Sequence, residues 1–191
     1  SFKEQYLRGL CKLAHIEDCV EQWQHRAEQD IGLTEYLGLT GEEHKTFLCG
    51  GRDALAALLE PQRRKQRFVL YQLQLDEENA IPFAFKDITA LKAAGYEQPP
   101  AAMYYVAGSG EIYCPAEESD DTLLKRLFAD CRERLPEGCR GRPMAVSDVV
   151  ELNHGAKRAY YYVSGQDQFR QVKFSPMLAK KEIPEKTQER F

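Results

Sequence analysis

The hydrophobic positions change period along the chain. Tyr6, Leu7, Leu10, Leu13 and Ala14 recur at helical spacing and predict a helix from Phe2 to Ala14. Ile16, Cys19, Val20, Trp23 and Ala27 predict a second helix from Ile16 to Gln29, with Trp23 as the anchor of this helical layer. A short helix from Leu33 ends at Gly38. Thr40 with Glu43 is a capping box that opens the next helix. Gly50-Gly51 ends that helix, and Asp53 to Glu60 gives one more before Pro61. Beyond this point the period shortens to two. Val69, Tyr71, Leu73 and Leu75 alternate within a strand from Phe68 to Leu75, and Asp76-Glu77-Glu78-Asn79 is a polar turn. Phe85, Ile88, Leu91 and Ala94 are spaced for a short helix closed by Gly95. Pro99-Pro100 leads into a strand at Met103 to Val106, and Gly108-Ser109-Gly110 is read as a turn. Leu123, Leu124, Leu127, Phe128, Cys131 and Leu135 form the longest helical stripe. Asp120 and Asp121 sit in its first turn, Arg132 and Arg134 in its last, and Pro136 stops it.

The segment from Arg142 to Phe174 carries the strongest strand pattern. Short β-branched and aromatic runs are separated by Asn153-His154-Gly155 and by Ser164-Gly165-Gln166-Asp167, which predicts an antiparallel meander. Strict alternation would put Asp148 on the same face as Met144, Val146, Val150 and Leu152. An unpaired carboxylate there is costly, so a turn or bulge is expected at Ser147-Asp148, with the strand starting at Val149. The fold class expected is α+β: an N-terminal helical subdomain followed by a mostly antiparallel sheet with two packed helices. The expected division is a helical, helix-turn-helix-like module over 1–61, a basic linker over 62–67, the α+β domain over 68–175 and a charged tail over 176–191, mobile unless a partner holds it.

Two segments resemble known families. Met144-Ala145-Val146-Ser147-Asp148-Val149-Val150-Glu151-Leu152, followed by a glycine turn and the Tyr-rich run Tyr160-Tyr161-Tyr162, resembles the YodL-like domain. The likeness runs from Arg67 to about Phe174. It departs at Gln168-Phe169-Arg170-Gln171-Val172, where the family often has an acidic, aromatic ending. Tyr36-Leu37-Gly38-Leu39-Thr40-Gly41-Glu42-Glu43 resembles a Tyr-Leu-Gly-Met-Thr-x-Glu-Glu segment of small firmicute and phage proteins, with Leu39 in the Met place and His44 in a usual aromatic place. That likeness covers Ile16 to Leu59. Together the resemblances imply an accessory protein of a firmicute mobile genetic element, a setting in which antirestriction and anti-CRISPR roles are common. They imply no catalytic residues.

At 191 residues the chain suits one domain or two small ones, and its 43% hydrophobic content is enough for a core. The formal net charge of -4 argues against whole-molecule attraction to nucleic acid. No apolar run approaches the roughly 18 residues of a membrane span. No signal peptide is read, the opening Ser1 is read as left by processing, and the expected compartment is the cytoplasm. The six cysteines show no C-x-x-C pairing and are expected as reduced thiols. Cys11, His15 and Cys19, with His25 as a fourth ligand, are the alternative, a zinc set, but structural zinc sites favour tight Cys pairs; no metal or cofactor is expected.

Asp148 and His154 are the candidate acid/base pair, near one end of the sheet. No nucleophile motif, metal set or nucleotide loop accompanies them, so no enzyme is expected. The expected function is partner binding that antagonises a host defence nuclease or its nucleic-acid complex. Glu117, Glu118, Asp120 and Asp121 are the expected contact face for a basic surface, and Asp76, Glu77 and Glu78 a second such face. The competing reading is a DNA-binding regulator. It would use the helix-turn-helix outline at Leu33 to Leu48 and the cations Arg63, Arg64, Lys65 and Arg67. Against it, Gly41-Glu42-Glu43 would open the recognition helix with two carboxylates. Tyr160, Tyr161 and Tyr162 place an aromatic on each sheet face, which fits either one face open to a partner or a second copy, or a sheet packed on both sides.

Overall fold

The computed structural model describes residues 1–26 and 30–182. The second helix ends at Gln24, short of the expected Gln29; Ala27 to Gln29 and the tail beyond Glu182 lie outside the described residues. The chain divides into two compact units, Ser1–Lys65 with Ile112–Glu118, and Gln66–Glu111 with Ser119–Phe191.

The first unit holds helices α1 (Phe2–Leu7), α2 (His15–Gln24), α3 (Leu33–Leu37) and α4 (Gly41–Leu59). Phe2, Tyr6, Leu7, Ile16, Leu37, Leu39, Leu55 and Leu59 form its core. α1 is shorter than its stripe predicts. Gly9 takes a left-handed φ of 70° and ends it, so Leu10 is left 71% exposed. Trp23 is only half-buried, with its indole N–H donated to the Ile31 carbonyl at 3.0 Å. It sits at the edge of the layer, where an amphipathic ring keeps its polar end satisfied, and Ile16 takes the anchoring place. α4 is broken at Gly51, where φ is 69° and ψ is -161°.

The capping box forms as expected. Glu43 N–H donates to Thr40 Oγ1 at 3.2 Å, and Thr40 N–H donates to Glu43 Oε2 at 2.8 Å. The same carboxylate accepts from Lys3 Nζ at 2.7 Å and Gln62 Nε2 at 2.8 Å, and Glu43 is buried. Burial alone would raise its carboxyl, but the donors Gln62, Lys3 and Thr40 hold it below the ordinary carboxylate value. Glu43→Ala is expected to cost about 2 kcal/mol in urea unfolding, since it removes the cap and the charged hydrogen bonds together. A folded-state value below the unfolded one stabilises above the ordinary carboxylate range. The difference between wild type and variant is therefore full at neutral pH and shrinks as pH falls through the lowered value.

The sheet orders its strands β2-β1-β3-β4-β5. They are β1 (Arg63–Leu73), β2 (Tyr104–Pro115), β3 (Val149–His154), β4 (Lys157–Gly165) and β5 (Gln168–Val172). β1–β3, β3–β4 and β4–β5 pair antiparallel. In the second unit, one face carries Val69, Tyr71, Val149, Glu151, Tyr160 and Tyr162. Tyr71, Val149 and Tyr162 join a core with Phe83, Leu91, Tyr104 and Phe174. Helix α5 (Ile88–Ala93) covers this face: Ile88 N–H donates to Ser164 Oγ, and Tyr162 Oη donates to the Lys86 carbonyl. The other face carries Leu70, Val150, Leu152, Tyr161 and Phe169. Helix α6 (Asp120–Cys131) lies there, with Phe128 edge-on to Phe169 at 6.3 Å. Cover on both faces explains why Phe68 and Leu70 are buried as well as Tyr71 and Leu73. The expected α+β class holds. α6 ends at Cys131, a turn before Pro136 would require.

Three local expectations are corrected. The boundary between the two units falls within residues 62–67, after Lys65, but the stretch is not a connector, because strand β1 begins at Arg63; charged side chains at a strand end hid its pattern. Gly108-Ser109-Gly110 does not turn the chain but runs inside β2. A Cβ on Gly108 would lie 2.8 Å from Cys139 Cα, and one on Gly110 would lie 2.8 Å from the Phe68 ring, so these glycines permit close approach rather than reversal. The tail is not free from Pro176 onward. Lys180 pairs in parallel with Tyr105, donating its N–H to the Tyr104 carbonyl at 2.9 Å and accepting from Val106 N–H at 2.8 Å. No described helix is long and apolar enough to cross a membrane.

Candidate functional site at a buried arginine–aspartate pair

The turn before β3 is where the Val-Ser-Asp-Val-Val run does its structural work. Ser147 has a φ of 79°, and β3 begins at Val149, so the expected break is present. Asp148 N–H donates to the Ala145 carbonyl at 3.2 Å, while Ala145 N–H donates to Asp148 Oδ2 at 2.9 Å. This Asx-type turn aims the carboxylate inward, and Asp148 is 0% exposed.

Its charge is met by Arg142. Nη2 lies 2.5 Å from Oδ1 and Nη1 lies 3.1 Å from Oδ2, a bidentate pair. Gln72 Nε2 donates to Oδ2 at 3.1 Å and to the Arg142 carbonyl at 2.8 Å. Gln72 Oε1 in turn accepts from Arg142 N–H at 3.1 Å and from Tyr105 Oη at 3.0 Å. Tyr104 Oη donates to the Ser147 carbonyl at 2.9 Å. Burial pushes the Asp148 carboxyl up, opposed by Arg142, Ala145 N–H and Gln72. Burial would lower the Arg142 guanidinium, but the carboxylate holds it above its ordinary value. Burial also raises the phenols of Tyr104 and Tyr105, which keeps them neutral donors.

Phe85 closes the outer side of this network. Its ring lies over the Arg142 guanidinium, 4.8 Å from Cζ to the centroid, and it is 49% exposed. Its backbone is left-handed, with a φ of 59°, and its N–H donates to Ser147 Oγ at 3.1 Å. Phe85 and Ser147 are the two non-glycine residues with positive φ among the described residues, and they are bonded to each other. Each such conformation costs about 1–3 kcal/mol and persists only where its surroundings enforce it. Arg142 Nε is buried without a partner among the described residues. Spacing had placed Phe85 on the stripe of the following helix; it precedes α5 and faces outward instead.

Asp148 and His154 are not brought together. They lie at opposite ends of β3, ~20 Å apart at about 3.3 Å per residue. His154 Nε2 instead lies 3.0 Å from Asp120 Oδ2, which also accepts from Tyr161 Oη at 2.6 Å. Burial first, then Asp120, raises the Tyr161 phenol.

The other residues singled out from sequence are largely engaged. The Glu118 side chain is 4% exposed and 3.7 Å from Arg8, and Asp121 pairs with Lys125 at 2.7 Å. Glu117 is exposed. Arg63 pairs with Glu60 at 2.7 Å and lies over the Tyr6 and Tyr113 rings. Arg64 donates to the Ala116 and Glu118 carbonyls, and Lys65 lies over Tyr113. Arg67 is exposed on the sheet. Cys11 Sγ donates to the Phe2 carbonyl, and His15 Nδ1 accepts from Lys12 N–H. Among the described residues no group of three or more His, Cys, Asp or Glu is placed to hold a metal ion.

These features define an α+β domain: a five-stranded antiparallel sheet with a helix on each face and a buried ion pair before its third strand. The chain belongs to the YodL-like domain family, whose model matches residues 67–174, more than half of its length. The match closes on Phe174, whose ring meets Tyr71, Tyr104 and Tyr160 at 4.8, 5.5 and 5.7 Å. No curated protein and no solved structure matches the chain.

Proposed function

We propose that the protein is a non-catalytic, cytoplasmic binding protein of a mobile genetic element, and that its partner is a host defence nuclease or that nuclease's nucleic-acid complex. The observation that carries the binding reading is Phe85, an aromatic ring held half-exposed by a strained backbone over a buried guanidinium. Aromatic anchors of this kind, fixed before the partner arrives, dominate the energy of protein interfaces. Ile81 is a second exposed apolar side chain on the same connection, 63% exposed. Asp148 is held by Arg142 and His154 by Asp120, so the acid/base pair read from the sequence is not assembled. The class of partner rests on the resemblance to mobile-element proteins.

The test is capture of a stoichiometric protein from a nuclease-treated host lysate, followed by affinity measurement with wild type and Phe85→Ala. The variant is expected to bind at least about tenfold more weakly while losing about 1 kcal/mol or less of stability. Unchanged affinity in the variant overturns the assignment of Phe85. Capture that disappears with nuclease treatment points to the DNA-binding regulator instead.

A further inference from the structure

Strand register builds a second feature on the sheet face that carries Tyr71. Arg67 is paired with Asn153, and Asn153 with Arg158, so two guanidiniums flank an amide in one cross-strand row. The next row on that face is Val69, Glu151, Tyr160 and Val172. Glu151 is thus a carboxylate in an otherwise apolar row, diagonal to both arginines. Arg67, Val69, Tyr71, Glu151, Asn153 and Arg158 line a concavity of about 230 Å³.

The carboxylate is 3% exposed. Its Oε2 accepts from Tyr71 Oη at 2.7 Å, and burial keeps that phenol protonated. Its Oε1 has only a 3.5 Å approach from Arg158 Nε, and the Arg158 side chain is 56% exposed. Arg67 makes no ion pair with any described residue. A buried carboxylate is costly without close partners; Oε2 has one in Tyr71 Oη, which valine at this position would leave without its acceptor, whereas Oε1 has none closer than 3.5 Å. The Oε2 side of Glu151 is committed to Tyr71; the Oε1 side is the one that suits a ligand with a positive end.

We infer that this concavity binds a small zwitterion of the α-amino-acid class. The carboxylate of the ligand meets Arg67, Asn153 and Arg158, and its ammonium meets Glu151 Oε1. The volume is below the roughly 300–1,000 Å³ of sites for drug-sized ligands, which suits a molecule of this size. A phosphate dianion would be repelled by Glu151. The site is independent of the surface at Phe85.

The test is calorimetric titration of the full chain with each of the twenty standard amino acids, and with acetate and methylammonium as half-ligands. At least one amino acid is expected to bind saturably. Arg67→Gln and Glu151→Gln should each weaken it at least about tenfold, and both half-ligands should bind far more weakly than it does. Arg67 is exposed, so its variant decides the question even if Glu151→Gln disturbs folding. Failure of all twenty to bind overturns the inference. So does acetate binding as tightly as the amino acids and surviving Glu151→Gln, which would define a plain anion site.

Discussion

Asp148→Asn is expected to cost about 3–5 kcal/mol of folding stability, the typical penalty for removing one partner of a buried ion pair. The reason is the number of donors aimed at one carboxylate. Arg142 Nη1, Gln72 Nε2 and Ala145 N–H all point at Oδ2, and Arg142 Nη2 points at Oδ1. An amide must turn an NH2 group toward one of these sets, and it leaves the guanidinium charged and buried. Domains of this size are stable by about 5–15 kcal/mol, so the variant should sit near the folding threshold. Urea unfolding measures the loss. Replacing both partners by apolar residues, Arg142→Met with Asp148→Leu, should cost less than Asp148→Asn alone, because no unpaired charge remains. A loss below about 1 kcal/mol in Asp148→Asn would contradict the ion-pair account.

The same pair shows where sequence reasoning reaches its limit. Asp148 stood out because it broke an apolar alternation, and the turn at Ser147 follows from that conflict. Arg142 did not stand out. Its contact with Asp148 is made across a left-handed turn, and neither strand nor helix spacing places two residues six apart side by side. The meander was legible because its turns carry Asn-His-Gly and Ser-Gly signals and its strands alternate. β2 was only half legible: glycine serves both reversal and close approach, and the choice at Gly108 is made by Cys139, which is distant in sequence. Phe85 fitted a helical spacing with Ile88 and Leu91, yet the chain enters α5 only after Asp87, whose side chain caps the helix by accepting from Ala90 N–H. The row of Arg67, Asn153 and Arg158 depends on the register of three strands, which composition does not fix.

Phe83→Ala is the second large effect expected, at about 3–5 kcal/mol for a fully buried phenylalanine. Phe83 is 0% exposed, meets the Tyr96 ring edge-on at 5.5 Å, and belongs to the core with Leu91 and Tyr104. It is also the anchor of the connection that displays Ile81 and Phe85. Phe83 N–H donates to the Ala80 carbonyl at 3.1 Å, and its own carbonyl accepts from Lys86 N–H at 3.0 Å. Two residues apart, Phe83 and Phe85 therefore divide the work: one ring holds the loop down and the other is offered outward. Urea unfolding combined with partner affinity separates them. Phe83→Ala should lose stability and, under conditions where it is still folded, bind more weakly because the loop is no longer fixed. Phe83→Leu should recover most of both, since it refills the cavity. Phe85→Ala should lose affinity at nearly constant stability. Equal stability losses in Phe83→Ala and Phe85→Ala would mean that Phe85 is a core residue rather than a displayed one, and the binding surface would have to be sought elsewhere on the domain.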